Sequence, residues 1–157
     1  MNANGLPEFD LTVPPEWIDH NGHMNVACYV LAFDQATDAV YETWDIGMAY
    51  PDLGYSVFTL GMNVDYLREL FVGDQVQITT QLLDWDPKRI HYFHEMHQFD
   101  TGERVATNEC LCMNVELSSR RSAPFPEDVQ ALLKAVHAAH QAIGVPKGAF
   151  RQLQIRR

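Results

Sequence analysis

The sequence predicts an α+β fold in which a curved antiparallel sheet wraps around one long helix. Three observations support this prediction. Apolar residues follow a helical period from residue 26 to 44, four strand-like segments lie between residues 57 and 116, and short turns rather than helices separate those segments. Because the long helix carries a broad apolar stripe, the sheet has to curve around it to cover that stripe.

Composition limits the function classes. A chain of 157 residues with 46% hydrophobic and 20% charged residues is typical of one globular domain, which we expect to span residues 1–157. The formal charge of -10 argues against a nucleic-acid partner. We also expect no membrane association, since no apolar run is long enough to span a bilayer and the first ten residues lack a secretory pattern. An odd number of cysteines, three, argues against a disulfide framework, so we expect a cytoplasmic protein.

The first half of the chain holds the first strand and the long helix. A strand is predicted at residues 9–13, which end at two prolines. The helix is predicted at residues 26–44 because one stripe of side chains follows steps of four and three. That stripe contains Val26, Val30, Phe33, Thr37, Val40 and Trp44, and it is widened by Tyr29 and Tyr41.

The second half is predicted as a meander of four strands followed by a helix. Alternation in the first strand, residues 57–67, places Phe58, Leu60, Met62, Val64 and Tyr66 on one face and Thr59, Gly61, Asn63 and Asp65 on the other. Segments 76–82, 90–99 and 104–116 follow after short turns, which favours antiparallel pairing of consecutive strands. A terminal helix is predicted at residues 126–143, from Pro126 to the helix-ending Gly144.

Polar residues are concentrated in residues 19–25, between the first strand and the long helix. This segment places a carboxylate, two imidazoles, two carboxamides and a glycine in seven residues. Free amides at a helix N-terminus stabilise the oxyanion that forms when a carbonyl is attacked. We therefore interpret Asp19 as a general base or a nucleophile, with Asn21 and His23 orienting it and its substrate. The alternative interpretation is that Asp19 and Asn21 only make turn and capping hydrogen bonds.

These residues resemble the hotdog-fold thioesterases. Asp19, Asn21, His23 and Asn25 match the Asp-x-Asn-x-His-x-Asn pattern of plant-type acyl-carrier-protein thioesterases. Asp19, Gly22 and Tyr29 match the spacing of the 4-hydroxybenzoyl-CoA thioesterase group. The resemblance covers residues 9–118 and implies the hotdog fold and thioester hydrolysis. It implies a catalytic role for Asp19, Asn21 and His23, and a substrate-binding role for Gly22, Asn25, Trp17 and Tyr29.

A closer resemblance is to the betainyl-CoA thioesterases associated with bacterial carnitine dehydrogenases. Residues 17–25, 88–94 and 106–109 carry it. It implies hydrolysis of betainyl-CoA to glycine betaine and CoA. A trimethylammonium group binds to aromatic faces and carboxylates, and the candidates near residues 19–25 in sequence are Trp17, Tyr41, Trp44, Tyr50, Tyr55 and the carboxylate of Asp65.

The same resemblance implies homodimers or homotetramers with the site at the subunit interface. Asn63 and Asp65, or Thr59 and Gly61, are then expected to face Asp19 of a second copy. Four basic residues are the candidates for binding the CoA phosphates, since guanidinium and ammonium groups bind phosphate oxygens: Lys88, Arg89, Arg120 and Arg121. No cofactor is expected, because coenzyme A is part of the substrate.

No metal site is expected either. His91, His94 and His97 are spaced by three in a predicted strand, so His94 points to the opposite face from the other two. Three alternatives to the betainyl-CoA reading stay open, namely a thioesterase of other specificity such as 4-hydroxybenzoyl-CoA, a hotdog hydratase, and a non-catalytic acyl-CoA-binding domain. Sequence alone leaves the acyl group, the chemical role of Asp19 and the assembly beyond a dimer undetermined.

Overall fold

The structure is a computed structural model that describes residues 5–151 and 153–155. The predicted domain also includes residues 1–4, 152 and 156–157, which lie outside the described part. The elements in chain order are β1 (Glu8–Thr12), α1 (Val26–Thr43), β2 (Tyr55–Tyr66), β3 (Gln75–Trp85), β4 (Arg89–Gln98), β5 (Arg104–Glu116), β6 (Arg121–Ser122) and α2 (Glu127–Gln141). Both predicted helices and all five predicted strands are present.

Helix α1 lies along the inside of the curved sheet. Asn25 caps it, since its side-chain Oδ1 accepts a hydrogen bond from the amide of Ala27 at 2.9 Å. The buried face contains Tyr29, Ala32, Phe33, Ala36 and Val40. The predicted stripe was wrong at its first residue, because Val26, at the start of the helix, is 58% exposed.

The strand order in the sheet is β1-β3-β4-β5-β2, and all neighbours are antiparallel. The predicted meander is present for β3, β4 and β5 but is wrong for β2, which pairs with β5 instead of β3. The reason is that β1 pairs with the other edge of β3, so the edge of β5 is the one that remains for β2. Strand β2 is consequently an edge strand of the chain.

A β-bulge in β2 changes which side chains share a face. The register with β5 shifts between Thr59 and Gly61, and Leu60 has no partner. Thr59 pairs with Cys112 and Met62 with Cys110, so both face α1, because Cys110 and Cys112 lie in the buried core. The predicted alternation is therefore wrong before the bulge, where Phe58 lies on the face away from α1.

The core lies between α1 and the concave face of the sheet. Helix α2 extends this core beyond the end of β1, where the amide of Leu82 donates a hydrogen bond to Nδ1 of His140 at 2.9 Å. The C-terminal segment crosses the convex face, where Phe150 packs edge-on against His91 with ring centroids 5.0 Å apart. Among the helices of the described residues, none is long and apolar enough to cross a membrane.

Candidate active site

Residues 18–25 form a tight turn that leads from β1 into α1. Ile18 and Met24 pair as an isolated antiparallel bridge, and the amide of Asp19 donates to the carbonyl of His23 at 3.1 Å. Gly22 completes the turn at a φ of 83°, a left-handed conformation that favours glycine. Because Met24 is buried and its amide donates to the carbonyl of Leu70 at 2.7 Å, the turn is fixed to the core.

The carboxylate of Asp19 is half-buried at this turn. Its Oδ1 accepts a hydrogen bond from the amide of Asn21 at 2.8 Å, and its Oδ2 has a longer contact, 3.4 Å, with Nδ2 of Asn25. Burial, and then the negative charge of Asp19, raise the pKa of the Cys28 thiol, which places Asp19 beside the first turn of α1. One carboxylate oxygen is thus firmly held and the other only weakly.

The structure brings Asp19 and Asn25 together, whereas Asn21 and Gly22 take part in the turn through their backbone amides. Asn21 contacts Asp19 through its backbone amide, while the residue itself is exposed. The amide of Gly22 donates to the carbonyl of Asp19 at 3.0 Å, so this amide is occupied within the turn. The substrate-binding role expected of Gly22 stays a prediction. Within the described residues, the amide of His23 has no hydrogen-bond acceptor.

His23 connects the turn to an open cleft of about 330 Å³. Its Nδ1 lies 3.2 Å from the carbonyl oxygen of Met24, and its Nε2 lies 3.8 Å from Oε1 of Glu69. The cleft is lined by His23, Met24, Val26, Tyr29, Tyr66, Leu67, Arg68 and Glu69. Asp19 itself is not one of the lining residues, so His23 is the predicted catalytic residue that reaches the cleft.

Two tyrosines form the aromatic wall of this cleft. Tyr29 is buried and its hydroxyl donates to the carbonyl of Arg68 at 3.1 Å, while its ring meets that of Tyr66 edge-to-face with centroids 5.4 Å apart. Tyr29 was predicted to bind substrate, and the structure places it in the cleft. The sequence reading missed Tyr66 and Glu69. Tyr66 was assigned only to an apolar strand face, and Glu69 lies in a connection with no recognisable motif.

Asn63 and Asp65 lie away from the turn in the single chain. Asn63 pairs with Glu109, whose side chain is on the convex face, and Asp65 shares that face and forms an ion pair with Arg151. The turn and Asp19 lie beside α1, on the concave side. The expected contact of Asn63 and Asp65 is with Asp19 of a second copy, and it stays a prediction. Trp17 is half-buried and packs against the core, with its carbonyl accepting from the amide of Asn25 at 2.8 Å.

The other aromatic candidates belong to the second half of the core. Trp44 and Tyr50 are buried, with 1% and 2% of their surfaces exposed, and Tyr50 donates to Oδ1 of Asn114 at 2.8 Å. The suggestion that they bind a trimethylammonium group is wrong for Trp44, which is sealed in the core. Tyr50 borders a second cleft of about 230 Å³, which also contains Asp38 and Glu42.

The four basic candidates lie at the end of the sheet far from the turn. Arg89 is paired with Asp86 through Nε at 2.9 Å and Nη2 at 2.5 Å. Burial raises the pKa of Asp86, but hydrogen bonds from Arg89 and from the amides of Lys88 and Arg89 outweigh it, so the net shift is downward. Lys88 and Arg121 are exposed, and the guanidinium of Arg120 lies 5.6 Å from the ring centre of Phe58. Arg89 is thus the candidate whose charge is already neutralised.

Two of the three histidines of β4 are buried and stabilise the fold. His94 is buried against α1, between the hydroxyls of Thr37 at 3.0 Å and Thr80 at 2.8 Å, and burial lowers its pKa to about 3. His91 is on the opposite face, where its Nε2 lies 2.8 Å from Oε1 of Glu109 and both side chains are fully buried. Across residues 5–151 and 153–155, no group of three His, Cys, Asp or Glu side chains is arranged to hold a metal ion.

Comparisons with known proteins agree with this architecture. The thioesterase-like superfamily matches residues 13–133. A betainyl-CoA thioesterase from Pseudomonas aeruginosa is 38% identical over 147 residues, covering 93% of this chain and 92% of that protein. An L-carnitine dehydrogenase/betainyl-CoA thioesterase from Rhizobium meliloti is 33% identical over 98% of this chain, which spans only 31% of that longer protein.

Solved structures show the same fold. A Staphylococcus aureus protein solved in complex with CoA superposes with a TM-score of 0.84 at 30% identity, covering 96% of both chains. A putative thioesterase from Pseudomonas putida superposes with a TM-score of 0.80 at 30% identity, covering 98% of this chain and 100% of that one. The predicted hotdog fold and thioesterase family are therefore confirmed, and the chain belongs to the thioesterase-like superfamily as a thioester hydrolase.

Proposed function

We propose that this protein hydrolyses acyl-CoA thioesters, with betainyl-CoA as the preferred substrate and glycine betaine and CoA as products. The observation that carries the proposal is the Asp19 turn, which holds a half-exposed carboxylate beside the start of α1 and adjoins an open cleft through His23. Two of the relatives, from Pseudomonas aeruginosa and Rhizobium meliloti, carry betainyl-CoA thioesterase in their names. They support the choice of acyl group.

Asp19 acts in one of two ways. As a general base it takes a proton from water while the oxygen of that water adds to the thioester carbon, and it returns the proton to the sulfur as the carbon–sulfur bond breaks. As a nucleophile its weakly held Oδ2 attacks the thioester carbon, expels the CoA thiolate and leaves an anhydride that water hydrolyses. In both routes the amide of His23 is the donor we assign to the carbonyl oxygen. Water is the only co-reactant, so we propose no cofactor.

The two routes are separated by a single turnover in oxygen-18 water. If Asp19 is the nucleophile, water attacks the Asp19 carbon of the anhydride and the label enters the Asp19 carboxylate. Mass spectrometry of the peptide that contains Asp19 detects this label. Label that appears in the released acid within that single turnover, with none in Asp19, supports the general-base route.

Substrate preference is tested by a thiol-release assay over a panel of acyl-CoAs. The panel contains betainyl-CoA, 4-hydroxybenzoyl-CoA and uncharged acyl-CoAs of several lengths, and an absorbance assay with an enoyl-CoA tests for hydratase activity. We expect the highest kcat/KM for betainyl-CoA. A preference for long uncharged acyl chains would exclude betainyl-CoA as the preferred substrate. Binding of acyl-CoA without turnover would indicate a non-catalytic binding domain.

We further propose that two copies pair through β2. This edge strand exposes Phe58, Leu60, Met62 and Tyr66, with Leu67 beyond its end. An exposed apolar edge of this length favours pairing with another strand. Antiparallel pairing of β2 with itself brings the Phe58 end of one copy beside the Tyr66 end of the other, so Arg120 approaches the partner's cleft. This supports CoA binding by Arg120, Arg121 and Lys88 across the interface, in a homodimer or a dimer of dimers.

Sedimentation of the wild type and of Leu60→Asp tests the assembly. The wild type is expected to sediment as a dimer or larger, and the variant, which places a charge in the proposed interface, as a smaller species with lower activity. A fully active monomer would contradict the proposal. The three free cysteines are consistent with the reducing cytoplasm, which we propose as the compartment.

A further inference from the structure

The cleft beside His23 combines the chemical groups that bind an organic cation. Tyr66 has 47% of its surface exposed, and together with Tyr29 it forms the aromatic wall. The carboxylate of Glu69, with 66% of its side chain exposed, lies in the same cleft. Aromatic faces attract cations through the ring quadrupole, and a quaternary ammonium has no N–H to donate, so rings and a nearby carboxylate are its suitable partners.

Glu69 supplies the negative charge in the lining of the cleft. Arg68 also lines it, but its guanidinium is paired with Glu103 at 3.1 Å, which offsets its charge. Burial raises the pKa of the Tyr29 hydroxyl, a backbone hydrogen bond at Leu70 lowers it, and the charges of Glu69 and Asp74 raise it further. The field of Glu69 therefore reaches the aromatic wall.

The cleft adjoins the Asp19 turn, as the short betainyl group requires. A single methylene separates the thioester carbon from the ammonium nitrogen, so the cation has to bind next to the point of attack. His23 belongs both to the turn that holds Asp19 and to the wall of the cleft, which makes the two adjacent. The second cleft, with Asp38 and Glu42, lies beside the other end of α1, more than three helical turns from Asn25.

We propose that Tyr66 and Glu69 form the subsite for the trimethylammonium group and determine the preference for a cationic acyl-CoA. This inference rests on the proposed function and assigns its acyl specificity to two residues outside the Asp19 turn. Tyr66 supplies the ring face and Glu69 the charge. Neither residue takes part in bond breaking, so their loss changes selectivity more than it changes turnover of an uncharged substrate.

The experiment uses two substrates of nearly equal shape, betainyl-CoA and its uncharged analogue tert-butylacetyl-CoA, and measures the ratio of their kcat/KM values. Glu69→Gln and Tyr66→Leu are each expected to lower the ratio about tenfold, chiefly through KM for betainyl-CoA. Tyr66→Phe keeps the ring and is expected to retain most of the ratio. Asp38→Asn, which removes one negative charge from the second cleft, is the matched control and is expected to leave the ratio unchanged.

Two different outcomes separate the subsite from the proposed function. If the wild type prefers betainyl-CoA and only Asp38→Asn lowers the ratio, the function stands and the subsite is misplaced. If the wild type shows no preference for betainyl-CoA, the proposed substrate is wrong. In that case titration with tetramethylammonium still tests the subsite. The NMR chemical shift of the Tyr66 ring is followed in the wild type and in Glu69→Gln. Equal shifts in both proteins, or none in the wild type, would overturn it.

Discussion

Two groupings each combine a carboxylate with an imidazole, Asp19 with His23 in the turn and Glu109 with His91 in the sheet, but their environments are opposite. The first grouping is partly exposed, and its carboxylate is held by local hydrogen bonds of 2.8 and 3.4 Å. The second is fully buried, and Oε1 of Glu109 accepts from both His91 and the amide of Phe150 at 2.8 Å. A carboxylate with a weakly held oxygen next to a cleft can react, whereas a sealed one can only stabilise the structure.

The largest expected effect comes from Asp19→Asn. The asparagine keeps an acceptor for the amide of Asn21 but removes the base and nucleophile, so kcat is expected to fall about a thousandfold. The free energy of unfolding is expected to change by less than about 0.5 kcal/mol. Steady-state kinetics and urea denaturation measure the two quantities. Asp52→Asn, in an exposed turn, is the control. An Asp19→Asn protein with normal kcat would contradict the catalytic role that distinguishes the turn from the buried pair.

Glu109→Ala is expected to give the reverse pattern. Removing the carboxylate leaves His91 and the amide of Phe150 without their acceptor in the interior, so the free energy of unfolding is expected to fall by about 3 kcal/mol. The folded protein should keep its kcat. Glu95→Ala is the matched control on the same sheet face, where the pair with Arg104 is partly exposed and is worth less than about 1 kcal/mol. A large loss of kcat in folded Glu109→Ala would show that the sheet grouping participates in catalysis.

The buried histidine His94 makes stability depend on pH. Burial lowers its folded-state pKa to about 3, against 6.5 for an exposed histidine. Between these two values the unfolded chain binds the extra proton, so stability falls as the pH decreases below 6.5. The expected loss is about 2 kcal/mol at pH 5, measured by urea denaturation at pH 5 and 7. His94→Gln should weaken this dependence, and an unchanged slope would contradict the assignment.

The smallest expected effect is at Asn25, which has two roles. Asn25→Ala removes the cap of α1 and the contact with Asp19, and is expected to cost about 1 kcal/mol of stability and a severalfold loss of kcat. Asn25→Ser restores a capping hydroxyl but is too short to reach Asp19. It should recover the stability and not the kcat. Equal recovery of both would mean that the contact with Asp19 has no effect on the reaction.

The fold was predictable because periodic patterns report directly on helices and strands. The spacing of apolar residues located α1, and glycine- or proline-containing turns located β3, β4 and β5. Strand pairing was less accessible, because the pairing of β2 with β5 depends on β1 occupying the edge of β3, which is a long-range competition. The bulge at Leu60 was also missed, since apolar residues alternate without a break from Phe58 to Met62 and conceal the change of register.

The candidate site was predictable only where its residues are contiguous. Residues 19–25 are close in sequence, so their density was visible, and the structure places Asp19 next to Asn25. Tyr66 reaches the cleft from the last position of β2, and Glu69 reaches it from the chain that follows. Asn63 and Asp65 point away from the cleft because of the pleat of β2. Buried polar pairs such as His91 and Glu109 come from different strands and show no local signal.

The apolar edge of β2 has a consequence for handling the protein. If the chain forms the proposed β2 dimer, subunits separated by dilution or by substitution expose Leu60 and Met62 along an unpaired strand, and such a surface binds other chains without specificity. Weakened variants are then expected to precipitate over time rather than to persist as clean monomers, and their melting temperatures to rise with protein concentration. Light scattering during a dilution series would record this directly.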